Sequence, residues 1–201
     1  MNALEKLTEL FRRFPGIGPR QATRFTYFVA NMTPAQRTLL AEAIQGLSKN
    51  ISLCVECQRL TELQICSTCR LCLDESRDNS QLLLVEKDTD IRSIEHANAY
   101  TGKYFVLGGS IPVLDENPLS RFRSEELKRK LQNESSTLKE VVLAFSATPQ
   151  GEHTTDVLKE FIHKHSPTVH TSVLGRGIST GTELEYIDDE TLRHALKNRV
   201  E

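Results

Sequence analysis

Apolar residues recur at helical spacing at the start of the chain and predict a helix that ends near residue 14. The positions of this stripe are Leu4, Leu7, Leu10, Phe11 and Phe14. Pro15 disfavours helix at the residue before it, and Gly16 and Gly18 allow a tight turn with positive φ. Pro19 suits the first turn of a new helix. The pattern therefore predicts two helices joined by a short P-G-I-G turn.

Two further segments of the first fifty residues have helical character. The second helix has an apolar face formed by Ala22, Phe25, Phe28 and Val29. Thr33 and Pro34 are typical of an N-cap and the first helical residue, and they predict a third helix that runs to about Asn50. We expect this third helix to pack on the first two and to supply the apolar area that two short helices lack.

From Gln81 onward the pattern changes to short apolar runs that alternate with amphipathic segments. The predicted strands cover residues 82–85, 104–107, 141–145 and 169–174, and the predicted helices cover residues 88–98, 124–133 and 155–165. Continuous apolar strands that alternate with helices indicate an open, mainly parallel sheet with both faces covered. Ligand sites in such sheets lie at the carboxyl ends of the strands, where this chain carries Glu86 and the segment 146–155.

Composition adds a charge asymmetry to this picture. The 201 residues have a mean hydropathy of −0.36 and a net charge of −2. Residues 1–53 contain seven Lys and Arg against three Glu, a net charge of +4, so the remainder carries −6. A basic end on an acidic body favours local contact with a polyanion, although a solvated helix face has the same composition. No apolar run approaches the length of a membrane span and the N-terminus does not resemble a signal peptide, so we expect a cytoplasmic protein.

The P-G-I-G turn and the basic residues beside it resemble a helix-hairpin-helix motif. Gly16 and Gly18 let backbone amides approach a DNA phosphate, and the second helix directs its N-terminus at the same phosphate. Arg20 and Arg24 lie four residues apart on one helix face, where they add positive charge, and Arg13 extends the contact. These residues predict DNA binding that does not read base sequence. The alternative is an ordinary corner between two helices.

All five cysteines lie within residues 54–72 and predict a metal site. Cys54 and Cys57 form one C-x2-C pair, and after eight residues Cys66 and Cys69 form another. Two such pairs are typical of one structural zinc ion with four thiolate ligands and no open position for catalysis. Cys69 and Cys72 are also spaced as C-x2-C, but we prefer Cys66 with Cys69 and interpret Cys72 as a spare thiol or a core residue. Disulfides are the weaker alternative.

The alternating C-terminal part resembles the Toprim domain of topoisomerases and primases. In that domain a Glu ends the first strand, and a D-x-D-x-x-G-E segment ends a later one, so that carboxylates hold magnesium. Glu86 and the pair Gly151-Glu152 match, but Ser146 and Thr148 stand at the two Asp positions. We therefore expect a Toprim shape with a degraded metal site. The runner-up interpretation, a magnesium-dependent Toprim nuclease, is opposed by Ser146 and Thr148.

Near the C-terminus, residues 186–189 resemble a Walker B strand with an acidic end. The chain has no G-x4-G-K-[ST] loop, so ATPase activity is not expected.

The order of these motifs resembles the RecR family of bacterial recombination mediators over nearly the whole chain. The matching segments are FPGIGPRQATR, LLLVEKDTDIRSIE, GKYFVLGGSIPVLD and the C-terminal pattern R-G-x3-G-x-E-L-E-Y-x-D-x-x-T-L. The chain departs from the family in SATPQGE, where N-P-T-V-E-G-E is common, in Ser179 and Thr182, where Pro and Gly are usual, and in Cys72.

The resemblance implies a multidomain α+β protein without enzymatic activity. Its parts are a helix-hairpin-helix domain (residues 1–53), a four-cysteine zinc finger (54–76), a Toprim domain (77–175) and a C-terminal segment with a Walker-B-like motif and a helix (176–201). The family works with RecO, and in many bacteria RecF, to load RecA onto single-stranded DNA coated by single-strand-binding protein. It forms dimers and tetrameric rings and acts at the nucleoid during repair. We further expect the acidic residues Glu86 and Glu152 to help form a surface for a basic partner.

Overall fold

The computed structural model of the protein describes residues 1–62, 67–175 and 177–199. Its α-helices are Ala3–Arg12 (α1), Pro19–Ala30 (α2), Pro34–Asn50 (α3), Arg70–Leu73 (α4), Asp88–Ala97 (α5), Ser124–Asn133 (α6), Pro149–His165 (α7) and Asp189–Lys197 (α8). Its strands are Ile51–Leu53 (β1), Leu60–Glu62 (β2), Asp78–Val85 (β3), Gly102–Val106 (β4), Glu140–Ala144 (β5) and His170–Val173 (β6). The chain divides into two compact units, Met1–Ile51 and Ser52–Glu201. In the described part of the chain, none of the helices has the length and apolar character needed to cross a membrane.

Several of the described helices begin at side-chain caps that the sequence supplies. Asn2 accepts a 2.9 Å hydrogen bond from the amide of Glu5, and Thr33 and Thr148 cap α3 and α7 in front of a proline. The prediction that the last large helix begins near residue 155 is wrong, because α7 begins at Pro149. Thr148 and Pro149 repeat the Thr-Pro start signal of α3, so the segment interpreted as a loop forms the first turns of the helix.

The N-terminal unit has a small interior between α1 and α2. Ala22 and Thr26 are its buried residues, and the Thr26 hydroxyl lies 2.9 Å from that of Thr8. The ring of Phe11 packs edge-on against Phe25, with 5.8 Å between centroids. Helix α3 buries none of its residues, so the expectation that it supplies apolar cover to the hairpin is wrong for this chain. Its apolar side chains remain exposed instead.

The second unit is built on a four-stranded parallel sheet with the order β4-β3-β5-β6. Alternate residues of β3 enter two different cores: Leu82 and Leu84 pack on one face, and Leu83 and Val85 on the other. The helices cover both faces, as predicted from the continuous apolar runs. The predicted fold class is confirmed: a helical hairpin at the N-terminus is followed by a cysteine cluster and an open parallel sheet with helices on both faces.

Candidate metal centre and nucleic-acid interface

Four cysteine side chains converge on one point in the second unit. The sulfur atoms of Cys54, Cys57, Cys69 and Cys72 all lie within 4.8 Å of one another. The Sγ–Sγ distance is 3.5 Å between Cys57 and Cys69 and 3.9 Å between Cys54 and Cys72. A tetrahedron with zinc–sulfur bonds of 2.3 Å has sulfur–sulfur edges of roughly 3.8 Å. The four thiols therefore fit a tetrahedral metal ion in size and in ligand chemistry.

Local backbone structure places each pair of sulfurs. In the first pair, the amide of Gln58 donates to the carbonyl of Cys54 at 2.9 Å, and Gln58 has a φ of 60°, which closes the turn. In the second pair, Cys69 is the N-cap of α4, and the amide of Cys72 donates to the carbonyl of Cys69 at 3.0 Å. The short helix thus turns the Cys72 sulfur back toward the first pair.

Cys72, which we interpreted as a spare thiol or a core residue, has its sulfur among the four that converge in the described part of the chain. Cys66, which we predicted as a ligand together with Cys69, lies outside the described residues. Sequence spacing alone could not choose between the two overlapping C-x2-C pairs, since both contain Cys69. The signal that favours Cys72 is the helix that begins directly after Cys69.

The electrostatics of the cluster suit a cation. Hydrogen bonds from the neighbouring thiols, first of all Cys57, lower the pKa of Cys54, whereas hydrogen bonds with the other thiols, first of all Cys54, raise the pKa of Cys72. The amide of Cys69 also donates to the sulfur of Cys54 at 3.3 Å, which favours a thiolate there. Four adjacent sulfurs cannot all carry negative charge without a positive ion between them, so metal binding and deprotonation are coupled.

The turn that carries the first cysteine pair forms hydrogen bonds and an ion pair with residues of the sheet domain. The Arg123 guanidinium donates to the carbonyl oxygens of Gln58 and, at 3.0 Å, Val106. Lys130 lies 3.6 Å from the carboxylate of Glu56 and 2.8 Å from that of Glu134. Burial lowers the pKa of Lys130, but the two carboxylates more than offset this, and the net pKa is raised. A charged lysine is therefore kept at this contact.

The second cysteine pair has its own connection to strand β4. The ammonium group of Lys103 donates to the carbonyl oxygens of Cys72 at 3.1 Å and Asp74 at 2.8 Å. Neither Lys103 nor Arg123 could have been identified from the sequence, because both bind backbone carbonyls, which every residue possesses. The cysteine cluster is consequently a bonded part of the Toprim unit.

The carboxyl ends of the Toprim strands carry the residues expected there. Glu86 follows β3, with a side chain that is 17% exposed and an ion pair of 3.1 Å to Lys87. The hydroxyls of Ser146 and Thr148 lie 3.0 Å apart, and Thr148 accepts a hydrogen bond from the amide of Gly151. The Thr148 hydroxyl caps a helix, and both hydroxyls stand at positions where the Toprim pattern has carboxylates.

In residues 1–62, 67–175 and 177–199, the four cysteines are the one cluster of three or more side chains able to hold a metal. Glu86 and Glu152 do not belong to it. Glu152 instead lines a cavity of about 400 Å³ together with residues that end β6 and residues of α8. The neighbouring Asp188 is the N-cap of α8 and accepts from the amide of Thr191 at 2.9 Å, so the segment that resembles a Walker B strand forms a helix start.

The hairpin turn leaves open space where a phosphate could approach. Gly16 has a φ of +76°, and no atom lies within 4 Å of the position that a Cβ would occupy at Gly16 or Gly18. Helix α2 begins at Pro19, and its N-cap residue Gly18 provides no side-chain cap, so the amides of Arg20 and Gln21 in the first turn have no capping partner. This arrangement leaves hydrogen-bond donors and a positive helix end facing solvent.

The cations around this turn are available for a ligand. Arg13, Arg20 and Arg24 are exposed, and within the described part of the chain none of them forms an ion pair. Two other basic residues of the unit are engaged: Arg12 pairs with Glu9 at 2.7 Å, and Arg37 donates to two backbone carbonyls. Three exposed arginines therefore lie at the turn and along α2.

Comparison with known proteins gives three family matches in chain order. The RecR helix-hairpin-helix model matches residues 4–47, the Toprim domain model residues 80–174 and the RecR C-terminal model residues 177–200. A protein named recombination protein RecR from Legionella pneumophila strain Philadelphia 1 is 36% identical over 201 residues, which covers 99% of this chain and 96% of the relative. One of the same name from Xanthomonas axonopodis pv. citri is 36% identical over 198 residues, covering 98% and 97%.

Proposed function

The chain belongs to the RecR family of recombination proteins, and from this membership and the sites described above we propose that it is a non-enzymatic mediator of DNA repair. In this role it binds DNA without regard to base sequence. With RecO, and with RecF where present, it helps load RecA onto single-stranded DNA coated by single-strand-binding protein, and it does so at the nucleoid.

The observation that carries the DNA-binding step is the uncapped start of α2 behind the Gly16 turn. The backbone amides of Arg20 and Gln21 present hydrogen-bond donors, and the side chains of Arg20 and Arg24 add positive charge. Gly16 and Gly18 have no Cβ that would block the approach of a phosphate. Such groups recognise phosphate oxygens, which every DNA sequence offers. Arg13 adds a third cation near the turn.

One hairpin provides few phosphate contacts, so binding by a single copy is weak. A non-specific contact of this kind has a dissociation constant of roughly 10⁻⁴ to 10⁻⁶ M at physiological salt. Several hairpins in one assembly make the later contacts intramolecular, which gains ~10²- to 10⁴-fold. We therefore propose that the chain acts as a dimer or a tetrameric ring.

Helix α3 supplies a surface suited to self-association. Leu40, Ile44 and Leu47 recur at helical spacing and are 40%, 60% and 53% exposed, and Leu39 beside them is 68% exposed. A stripe of this length without internal cover is typical of a helix that packs on a second helix. A second copy of the chain can cover it with its own α3, since the same stripe is present there.

The cysteine cluster is proposed to hold one structural zinc ion per chain through Cys54, Cys57, Cys69 and Cys72. Four thiolates satisfy the metal completely, so the ion stabilises the fold and takes no part in catalysis. The Toprim strand ends are proposed as a partner surface instead of a nuclease site, because hydroxyls replace two of the carboxylates. We accordingly expect no magnesium-dependent DNA cleavage by the pure protein.

The experiment that tests DNA binding is a salt titration of fluorescence anisotropy on two unrelated DNA sequences. Arg20→Ala/Arg24→Ala should weaken binding equally on both sequences. It should also reduce the slope of log K against log salt by the amount that about two phosphate contacts contribute. Lys49→Ala, which removes a charge at the far end of α3, is the matched control and should behave like the wild type. A double variant that binds both sequences like the wild type would show that the hairpin is a structural corner.

A further inference from the structure

Helix α2 exposes two aromatic side chains beside the cations assigned to phosphate. Tyr27 is 55% exposed and Phe28 is 66% exposed, whereas the interior of this unit is formed by Ala22 and Thr26. Neighbouring large apolar side chains that remain exposed on one helix face mark a surface that contacts a ligand or a partner. Tyr27 and Phe28 therefore indicate such a surface on the side of α2 that does not pack on α1.

The two rings border a groove that also contains a cation. The groove has a volume of about 590 Å³, and its lining residues are Gln21, Thr23, Arg24, Phe25, Tyr27, Phe28 and Asn31. Arg24 lies three residues before Tyr27 and four before Phe28, so it stands beside both on the helix surface. The groove thus combines aromatic side chains with polar ones and one cation.

The position of the rings relative to the turn matters for the ligand. Arg20 lies at the start of α2, and Tyr27 and Phe28 follow it by seven and eight residues, which is roughly 11 Å along the helix axis. A strand whose phosphate binds at the turn therefore passes Arg24 and then reaches the rings. Aromatic faces next to backbone-binding cations are the arrangement that holds unpaired bases by stacking.

We propose that Tyr27 and Phe28 form a stacking surface for unpaired bases, so that the hairpin unit binds single-stranded DNA in preference to duplex. This inference rests on the proposed DNA binding at Arg20 and Arg24 and adds the form of DNA that is bound. Duplex DNA cannot use the rings, because its base faces are stacked inside the helix. A gap or a single-stranded tail offers both the phosphate and free base faces.

Charge favours nucleic acid over a second copy of the chain as the occupant. Helix α2 contains Arg20 and Arg24 and no acidic residue. Packing two copies of this face together would bury like charges without a carboxylate to pair them, which is unfavourable. The exposed stripe on α3 consists of leucines and one isoleucine, so pairing it with a second copy buries no like charges. It is therefore the better surface for self-association.

The test measures the anisotropy of a labelled 20-nucleotide oligo-dT, a 20-base-pair duplex and a 20-unit abasic strand. Tyr27→Ala/Phe28→Ala should weaken binding of oligo-dT by roughly 5- to 150-fold for each base that stacks, and leave duplex binding unchanged. The wild type should bind the abasic strand about as weakly as the variant binds oligo-dT. Tyr27→Phe/Phe28→Tyr should retain the preference. Leu114→Ala, at a side chain of the second unit that is 93% exposed, is a control for loss of an exposed apolar side chain.

Four results would overturn the inference. Unchanged oligo-dT binding in the alanine variant shows that the rings do not contact bases. Equal losses on oligo-dT and duplex, together with a smaller native mass, show that the rings lie between copies of the chain. A wild type that binds neither oligo-dT nor duplex overturns the proposed function as well. If Arg20→Ala/Arg24→Ala loses binding and Tyr27→Ala/Phe28→Ala does not, the proposed function stands and the stacking surface is removed.

Discussion

The backbone amide of Val106 donates a 2.8 Å hydrogen bond to the carbonyl oxygen of Cys57. Val106 is the last residue of β4, which is an edge strand of the four-stranded sheet. The carbonyl belongs to the turn that carries two of the cluster thiols. The cysteine cluster therefore occupies part of a sheet edge that would otherwise be open for pairing with another chain.

Removal of the metal is expected to destabilise the Toprim domain through this contact. Metal-binding free energy at four-thiolate sites contributes directly to folding, and a loss of several kcal/mol lowers the Tm of a chain of this size by about 10 °C or more. Calorimetry before and after chelation measures the shift, and zinc should restore the original Tm. Hydrogen exchange should increase at β4 more than at β6. An unchanged Tm after verified loss of metal would show that the cluster is not coupled to the sheet.

The choice of the fourth ligand is tested by two matched cysteine variants. Cys72→Ser should reduce bound zinc well below one equivalent per chain, because the Cys72 sulfur lies 3.9 Å from that of Cys54 in the cluster. Cys66→Ser should retain one equivalent. Elemental analysis of both purified variants gives the answer. The reverse result would restore the pairing of Cys66 with Cys69 that spacing first favoured.

The start of α7 depends on a glycine that has no room for a side chain. A Cβ at Gly151 would lie 2.0 Å from the carbonyl oxygen of Ser146, whereas one at Gly175 would meet no atom within 4 Å. Alanine normally stabilises a helix relative to glycine, but here the clash should dominate, and Gly151→Ala should cost about 1–3 kcal/mol. Urea unfolding measures the loss, with Gly175→Ala as a control that should change stability by less than about 0.5 kcal/mol. Equal stability of the two variants would contradict the packing described at Ser146.

Charge at the carboxyl ends of the strands should govern partner binding. Glu86→Lys reverses a charge that is largely buried beside Lys87, and we expect it to weaken binding of RecO measured by pull-down and titration. Glu152→Lys tests the second predicted acid in the same way. Lys159→Glu, on the exposed part of α7, is a control with an equally large charge change. Wild-type affinity in both Glu variants, with circular dichroism unchanged, would remove these residues from the partner surface.

The sheet could be predicted from the sequence because burial on both faces leaves a continuous apolar run. Leu82, Leu83 and Leu84 are all buried, although they point into different cores. Local signals of this kind need no knowledge of the rest of the chain. The sequence also contains a local start signal for α7 in Thr148 and Pro149. The boundary was predicted wrongly because the segment resembles a metal-binding loop.

Other features depend on contacts that no local pattern contains. Two C-x2-C pairs share Cys69, and only the direction of the chain after that residue brings the Cys72 sulfur into the cluster. Lys103 and Arg123 bind backbone carbonyls of the cluster turns, so nothing in the identity of their partners marks them. The exposure of α3 could not be predicted either, because an apolar stripe has the same pattern whether it packs within the chain or on a second copy.

Assembly through α3 is the remaining expectation, and it links self-association to DNA binding. Ile44 lies at the centre of the exposed stripe, so Ile44→Glu should place a charge in the proposed contact and reduce the native mass measured by light scattering. Because avidity depends on several hairpins, the same variant should lose ~10²-fold or more in DNA affinity although Arg20 and Arg24 are intact. Glu42→Gln, a polar change on the same helix, should leave mass and affinity near those of the wild type. A variant that keeps the native mass places the contact between copies elsewhere, and one that loses mass but keeps its DNA affinity shows that a single hairpin is sufficient.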